Sequence, residues 1–429
     1  VPSPLKGIGE GARPLDVISA LRAVVGDEGT LVFPTFTSRE ESCFIPEATE
    51  SVMGAVAETF RKMPGVIRSR HPRHPVAAQG PAACELTRGH ENATGPCGAD
   101  TPFHRHAMSG GQILLIGVDL DTLTLLHTAE ALLDLPYLRE LKGTYRDESG
   151  VEHTISMRHA PGGHRGGIHF LEKLLRRKVL IKYGSFGHAR TILMDAGSVL
   201  DELIDALTLD PMAALCRHEN CPDCETFKGA VRRAALLDLG AQVCFLIHEP
   251  PHDTHGYEEM IARYGYEPEY RLMSGLPVVT VGRGESPPAS HGVERPLLRP
   301  DPRDLPSYRT IPEGYAGIVY APLEAARAGL QPFYDVLYRG RSRGLITDII
   351  VEDGLADLPG FVSPKLGAVH FAGLSGSHVT LGTGQAQLRE IVSAMRMRNF
   401  KGRYHVVVPA GDPFIETRRI MSEFYELLP

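Results

Sequence analysis

Two side chains in the segment TLLHTAE, His127 and Glu130, stand three residues apart. On a helix that spacing puts both on one face, and an imidazole held by a carboxylate can take a proton near neutral pH. The segment RSRHPRHPVAAQG adds His71 and His74 in a stretch whose prolines exclude helix. Two Ser/Thr-bearing turns, VPSPLKGIG and FPTFTS, offer backbone and hydroxyl donors to an elongated polar ligand. Each feature has a plain alternative: His-x-x-Glu pairs are ordinarily surface ion pairs or core hydrogen bonds, and His-Pro loops are ordinarily turns.

Further along, Cys216, His218, Cys221 and Cys224 read C-x-H-x-x-C-x-x-C. Three thiolates and an imidazole so close in sequence can complete a tetrahedral zinc site; reduced, buried thiols are the alternative. The segment His248-Glu249-Pro250-Pro251-His252 matches H-E-x-x-H in letters only, because consecutive prolines forbid the helix that brings the two imidazoles together. With His255 nearby, it reads as a loop after a strand, open to ligand binding or to solvent alone.

These residues need a folded scaffold, and the composition supplies one. The chain has 429 residues, 42% hydrophobic and 23% charged. That balance excludes disordered, collagen-like and coiled-coil chains, and at about 150 residues per domain it suggests two or three domains. Seven cysteines in such a length do not read as a disulfide framework. The net charge of −7 divides almost evenly, −4 over residues 1–215 and −3 over residues 216–429. Neither half is basic, so a nucleic acid is not expected as partner; the mildly acidic balance suits a cationic small molecule. No apolar run reaches the ~20 residues of a membrane span, and no charged-then-apolar leader opens the sequence at Val1. The expectation is a cytoplasmic protein with no membrane contact, in which a homodimer is compatible.

Apolar runs alternate with helical periodicity, the pattern of an α/β protein. Helices are predicted over residues 15–26, 53–65, 124–133, 167–178 and 197–209, and strands over 29–36 and 111–118, with strand character also in VEHTISM. A first module is expected over 1–215, a Cys-containing hinge over 216–234 and a second α/β module over 235–429. Strands of the second module are predicted in AQVCFLIHE, LPVVTV, AGIVYA, LITDIIVE, GAVHFAG and RYHVVVP, with residues 284–313, rich in Pro, Arg and Ser, as loop.

The order of segments in the first module resembles the aminoglycoside 3-N-acetyltransferase family. It rests on SPLKGIG (3–9), GTLVFPTFT (29–37), Phe60-Arg61, Arg68-Ser69, His71-Pro72-Arg73-His74, Gly98 to Pro102, Leu115-Ile116-Gly117-Val118, and Thr124, His127 and Glu130 in the pattern T-x-x-H-x-x-E. Pro75 and Leu123 stand where the family usually has Ser and Asn, and Pro2 and Pro4 where it often has His and Ser. The resemblance implies an α/β sandwich of the antibiotic N-acetyltransferase type and acetyl transfer from acetyl-CoA to a primary amine of an aminoglycoside or other amino sugar. His127 would be the general base oriented by Glu130, Thr124 an oxyanion donor, and His71 or His74 part of the site. Ser3, Leu5, Thr35 and Thr37 would meet the pantetheine and phosphates.

The tail resembles the last two β/α units of sugar phosphate isomerase and epimerase barrels, through His370, His378, Leu381-Gly382-x-Gly384 and Gly402-Arg403-Tyr404. The metal-binding Glu of those barrels is replaced here by Val407, Val408 or Pro409. The second module is therefore expected to be a partial or degraded (β/α) barrel. Metal-assisted sugar isomerisation there, with bound metal at His248, His252, His255 or His370, is the alternative to amine acetylation, and a non-catalytic scaffold is a third reading.

Overall fold

A computed structural model describes residues 5–428 apart from 10, 39, 161–167, 217–220, 240, 241, 277, 289–294, 306, 307, 309, 333–344, 353–380, 382–385, 398 and 399. The chain divides into two units, Val1–Lys228 and Gly229–Pro429.

In the first unit β1 (Leu31–Pro34), β2 (Ile67–Arg68) and β3 (Val76–Gln79) form an antiparallel sheet in the order β1-β3-β2. The helices Pro14–Val25 and Ala55–Arg61 cover it, and Ile18, Phe60 and Ala77 form their shared core. Pro14 opens the first of these helices, where its missing N–H costs nothing, and Gly26 closes it with φ 71°.

β4 (Gln112–Ile116) follows, then an antiparallel hairpin of β5 (Arg139–Arg146) and β6 (Glu152–His159). β7 (Ile181–Phe186) and β8 (Ala189–Asp195) join β4 in the order β4-β8-β7. The sequence pattern marks β4 and most of β6 but not β5, β7 or β8. The first half of β5, Arg139, Glu140, Leu141 and Lys142, is solvent-exposed and mostly charged, so no apolar run announces the strand; in β8 the buried positions are Ala189, Thr191, Ile192 and Met194.

The hairpin carries the His-Pro loop. Gly143 of β5 faces Pro72, and a Cβ there would lie 2.7 Å from Pro72 Cγ and 2.9 Å from Met157 Cε. The loop can rest on the strand only because residue 143 has no side chain. From the other side, the backbone of Phe44 exchanges hydrogen bonds with the hairpin, donating to Thr144 O and accepting from Arg146 N, both at 2.8 Å.

The second unit holds β9 (Gln242–Ile247), β10 (Tyr270–Leu272), β11 (Val278–Val281), β12 (Leu297–Pro300), β13 (Gly317–Tyr320), β14 (Ile346–Val351) and β15 (Arg403–Val407), all parallel, in the order β10-β9-β15-β14-β13-β12-β11. The last strand pairs with the first, as in a barrel, while β10 and β11 are not paired with each other. The sheet is therefore a curled partial barrel, as the tail's resemblance implies. Alternating residues bury both faces: Val243, Phe245 and Ile247 pack with the helices, whereas Cys244 and Leu246 join Val319, Ile350 and Val407 on the other face. Such two-sided burial is what parallel sheets require.

Within the stretch expected to be loop, 284–313, lies β12, a four-residue strand ending on Pro300. Its brevity and its bounding prolines hide it. The strand expected in GAVHFAG lies outside the described residues. Residues Pro222–Leu239, largely within the segment expected as a hinge, form a helix of 18 residues.

Gly143→Ala is expected to destabilise the chain by about 1–3 kcal/mol, because Pro72 is rigid and the added methyl overpacks the contact. Urea unfolding of that variant checks it, and an unchanged midpoint would show that the loop does not lean on β5.

Candidate functional site

The helix Leu125–Leu132 buries Leu125, Leu126, Thr128, Ala129 and Glu130. Its apolar face fixes the rotation that sets His127 beside Glu130 at the rim. Glu130 is fully buried, and His127 keeps 25% of its side chain exposed. His127 Nδ1 lies 2.6 Å from Glu130 Oε2, and the Tyr137 hydroxyl donates to Glu130 Oε1 at 2.9 Å. A carboxylate only accepts, so Nδ1 of the imidazole carries the hydrogen and Nε2 of the neutral ring is left as a lone pair. Three residues from His127, Thr124 is the N-cap of the helix, yet its hydroxyl makes no capping bond.

The His-Pro loop reaches the dyad through His159. His71 is fully buried, and its Nδ1 accepts from the backbone N–H of Arg73 and of His74, both at 3.2 Å. The remaining nitrogen, Nε2, is buried without a hydrogen-bond partner, as is Nδ1 of His74. The His71 ring stacks on His90, centroids 4.5 Å apart. His90 Nε2 donates to Pro96 O, so its Nδ1 accepts from the Ser69 hydroxyl, which in turn accepts from Val76 N. Burial is the main cause holding His71 and His74 well below the ordinary imidazole range, with neighbouring imidazoles adding to it; burial also brings His90 down to about 4. The three rings are neutral at pH 7.

His159 joins them, and the sequence reading missed it. Its ring centroid lies 4.7 Å from His74 and 5.4 Å from His127, linking the loop to the dyad. The available signal was strand alternation: His159 stands two residues beyond the buried Met157 on β6, hence on the same face. Phe36 closes the row with an edge contact to His74 at 4.2 Å.

Of the positions expected to meet a cofactor, Ser3 lies outside the described residues, and Leu5 opens the short helix Leu5–Ile8. The Thr35 hydroxyl donates to Pro75 O at 3.0 Å and the Thr37 hydroxyl to Pro72 O at 2.6 Å, so both threonines tie β1 and the turn after it to the His-Pro loop. Arg68 braces the same corner, donating to Thr35 O at 2.7 Å and to Thr49 O at 2.6 Å; burial lowers it to about 10.

The buried Cys97 thiol is raised far above its usual range by burial and then by Glu130, so it stays protonated and is no nucleophile for the dyad.

Among the described residues, the one grouping of three or more metal-ligating side chains is Cys216, Cys221 and Cys224; His218 lies outside them. Of the histidines named for the isomerase alternative, the described His248, His252 and His255 belong to no grouping of three metal-ligating side chains among the described residues. His255 is exposed beside Glu259, His252 packs on Phe414, and His370 and His378 are outside the described residues. The prolines after Glu249 do exclude helix: the next one begins at Thr254, capped by Asp253. Among the described residues no helix is long and apolar enough to cross a membrane.

An imidazole with an open Nε2, backed by a buried carboxylate, is the arrangement of a general base. The family model for aminoglycoside 3-N-acetyltransferase matches residues 1–208. Aminoglycoside N(3)-acetyltransferase IV of a Salmonella sp. is 32% identical over 205 residues, which are 47% of this chain and 77% of that relative. Aminoglycoside N(3)-acetyltransferase VII of Streptomyces paromomycinus is 40% identical over 144 residues, 29% of this chain and 50% of the relative, so the chain spans about half of its length. A crystal structure of an aminoglycoside acetyltransferase in complex with gentamicin aligns at 28% identity and a TM-score of 0.48, covering 52% of this chain and 86% of that one. The chain belongs to the aminoglycoside 3-N-acetyltransferase family.

The neutral imidazoles have a consequence for stability. The folded chain resists protonating His90 until about 4, whereas the unfolded chain takes that proton near 6.5. Between those values the unfolded state binds more protons, so stability falls as pH drops through the window. From His90 alone the loss is on the order of 3 kcal/mol, and His71 and His74 act in the same direction. Urea unfolding at neutral pH and at about pH 4 measures it; equal stabilities would mean that the rings are not held neutral.

Proposed function

We propose that the chain is an acetyl-CoA-dependent N-acetyltransferase that acetylates a primary amine of an aminoglycoside or a related amino sugar, with His127 as general base oriented by Glu130. The observation that carries this is the 2.6 Å contact of His127 with a fully buried Glu130, with the imidazole still reachable from solvent. Membership of an aminoglycoside acetyltransferase family supplies the reaction class, and the relatives' names supply the substrate class.

The chemistry follows from the geometry. An aliphatic amine is protonated at neutral pH and has no lone pair with which to attack until a base removes a proton. Nε2 of His127 takes that proton; Nδ1–H stays on Glu130, whose charge stabilises the imidazolium formed. The amine nitrogen then bonds to the thioester carbonyl carbon, the carbonyl oxygen becomes an oxyanion, and the C–S bond breaks with the electron pair leaving on sulfur. The attached nitrogen, left cationic by the attack, releases its second proton to solvent as the amide forms, and the imidazolium returns the first to the departing thiolate. The amide product has lost the positive charge of the amine, so a cationic antibiotic would lose contacts with an anionic target. This reading fits either a resistance enzyme or a step in antibiotic or sugar biosynthesis.

Thr124, at the start of the same helix, is the proposed oxyanion donor. His71 or His74 helps line the site as a neutral ring, which does not repel a cationic amine. Thr35 and Thr37 serve the cosubstrate by holding the loop that borders it, and Leu5 and Ser3 are proposed to contact the pantetheine arm.

With acetyl-CoA and a panel of aminoglycoside amines, free CoA release is expected to follow the order wild type > Tyr137→Phe > Glu130→Gln > His127→Ala. The loss should be about tenfold for Y137F and about 10²–10⁴-fold for H127A, with the fold intact by circular dichroism. Near-normal turnover in H127A would overturn the assignment of the base.

A further inference from the structure

The cluster of Cys216, Cys221 and Cys224 has no part in the proposed reaction. One sulfur from each of Cys216, Cys221 and Cys224 lies within 4.8 Å of the others; Cys216 and Cys224 are buried and Cys221 is partly so. None of the three is in a disulfide. Cys216 follows the turn that ends at Leu215, while Cys221 and Cys224 flank the start of the helix Pro222–Leu239, with Glu225 N donating to Cys221 O at 2.9 Å.

We propose that these three thiolates bind one zinc ion, which ties the end of the first module's last turn to the start of this helix. Zinc holds sulfur at about 2.3 Å in a tetrahedron, which places neighbouring sulfurs about 3.8 Å apart. That separation falls inside the spread observed. A 4Fe–4S cluster would set a different iron under each thiolate and would need the sulfurs further apart. Binding releases the thiol protons to solvent and changes no oxidation state. Three thiolates leave one tetrahedral position for a further ligand.

What the ion would hold in place is specific. Phe227, one turn beyond Cys224, packs on Tyr137 with centroids 5.8 Å apart, and the Arg139 guanidinium sits 5.5 Å over the Phe227 ring. Tyr137 is the residue that donates to Glu130. The staple therefore supports the aromatic ring behind the buried carboxylate. The metal site itself does not rest on the acetyl-transfer reading, and its test needs no substrate.

The full chain, expressed with added zinc and purified without chelator under reducing conditions, is expected to hold about one zinc per chain by elemental mass spectrometry. After exchange with Co²⁺ it should show the intense near-ultraviolet band of thiolate-to-cobalt charge transfer. Cys84→Ser, an exposed cysteine elsewhere, should keep the metal, and Cys224→Ser should lose most of it. The wild-type measurement stands whether or not Cys224→Ser folds. Full-length protein without stoichiometric metal and without the cobalt band would overturn the proposal and leave a knot of hydrogen-bonded thiols; iron with acid-labile sulfide would overturn it equally.

Discussion

The first unit is organised around one buried carboxylate. An ionised group with no water around it is stable only when paired and hydrogen-bonded, and removing one partner of such a pair costs about 3–5 kcal/mol. Glu130 meets that demand with His127 on one oxygen and Tyr137 on the other. Two requirements follow. The helix Leu125–Leu132 must bury its apolar side so that the carboxylate faces inward, and the segment after it must return Tyr137 to the same place. In exchange the imidazole is fixed in tautomer and orientation, with a quarter of its side chain exposed.

Near this pair the chain gathers further imidazoles, three of them held neutral. His74, His159 and His127 run from the His-Pro loop to the dyad through ring contacts, and His71 stacks on His90. Burial removes the charge from the deeper ones, and the loop that carries two of them is held by Thr35, Thr37 and the absence of a side chain at Gly143. The threonines that sequence reasoning assigned to a cofactor thus hold the loop through their hydroxyls. The unpaired His71 Nε2 is a buried donor.

The dyad was legible in the sequence because helical spacing converts three residues of separation directly into proximity. Tyr137 was not: it lies past the helix end, and only the turn through Leu135 returns it to Glu130. His159 was hidden by the ending of the apolar pattern at Met157, although alternation along β6 carries one step further. The charged strand β5 gave no apolar signal, and β12 sat among prolines that read as loop. In the second unit the strand pattern was legible where runs such as QVCFLI are buried on both faces, and the pairing of β15 with β9 then makes the curled sheet. The pair formed by His405 and Asp348, 2.7 Å apart and buried, was not legible, because the two residues are 57 positions apart and each sits in an otherwise apolar strand.

Nitrogen-15 NMR of histidine-labelled protein tests the central claim most directly, because it reads which ring nitrogen of His127 carries the proton. At neutral pH the account predicts a protonated Nδ1, its proton shifted far downfield by the bond to Glu130, and a bare Nε2 whose signal responds when an amine substrate is added. A His127 ring protonated at Nε2 and bare at Nδ1 would contradict it, since the nitrogen facing the solvent could then accept nothing.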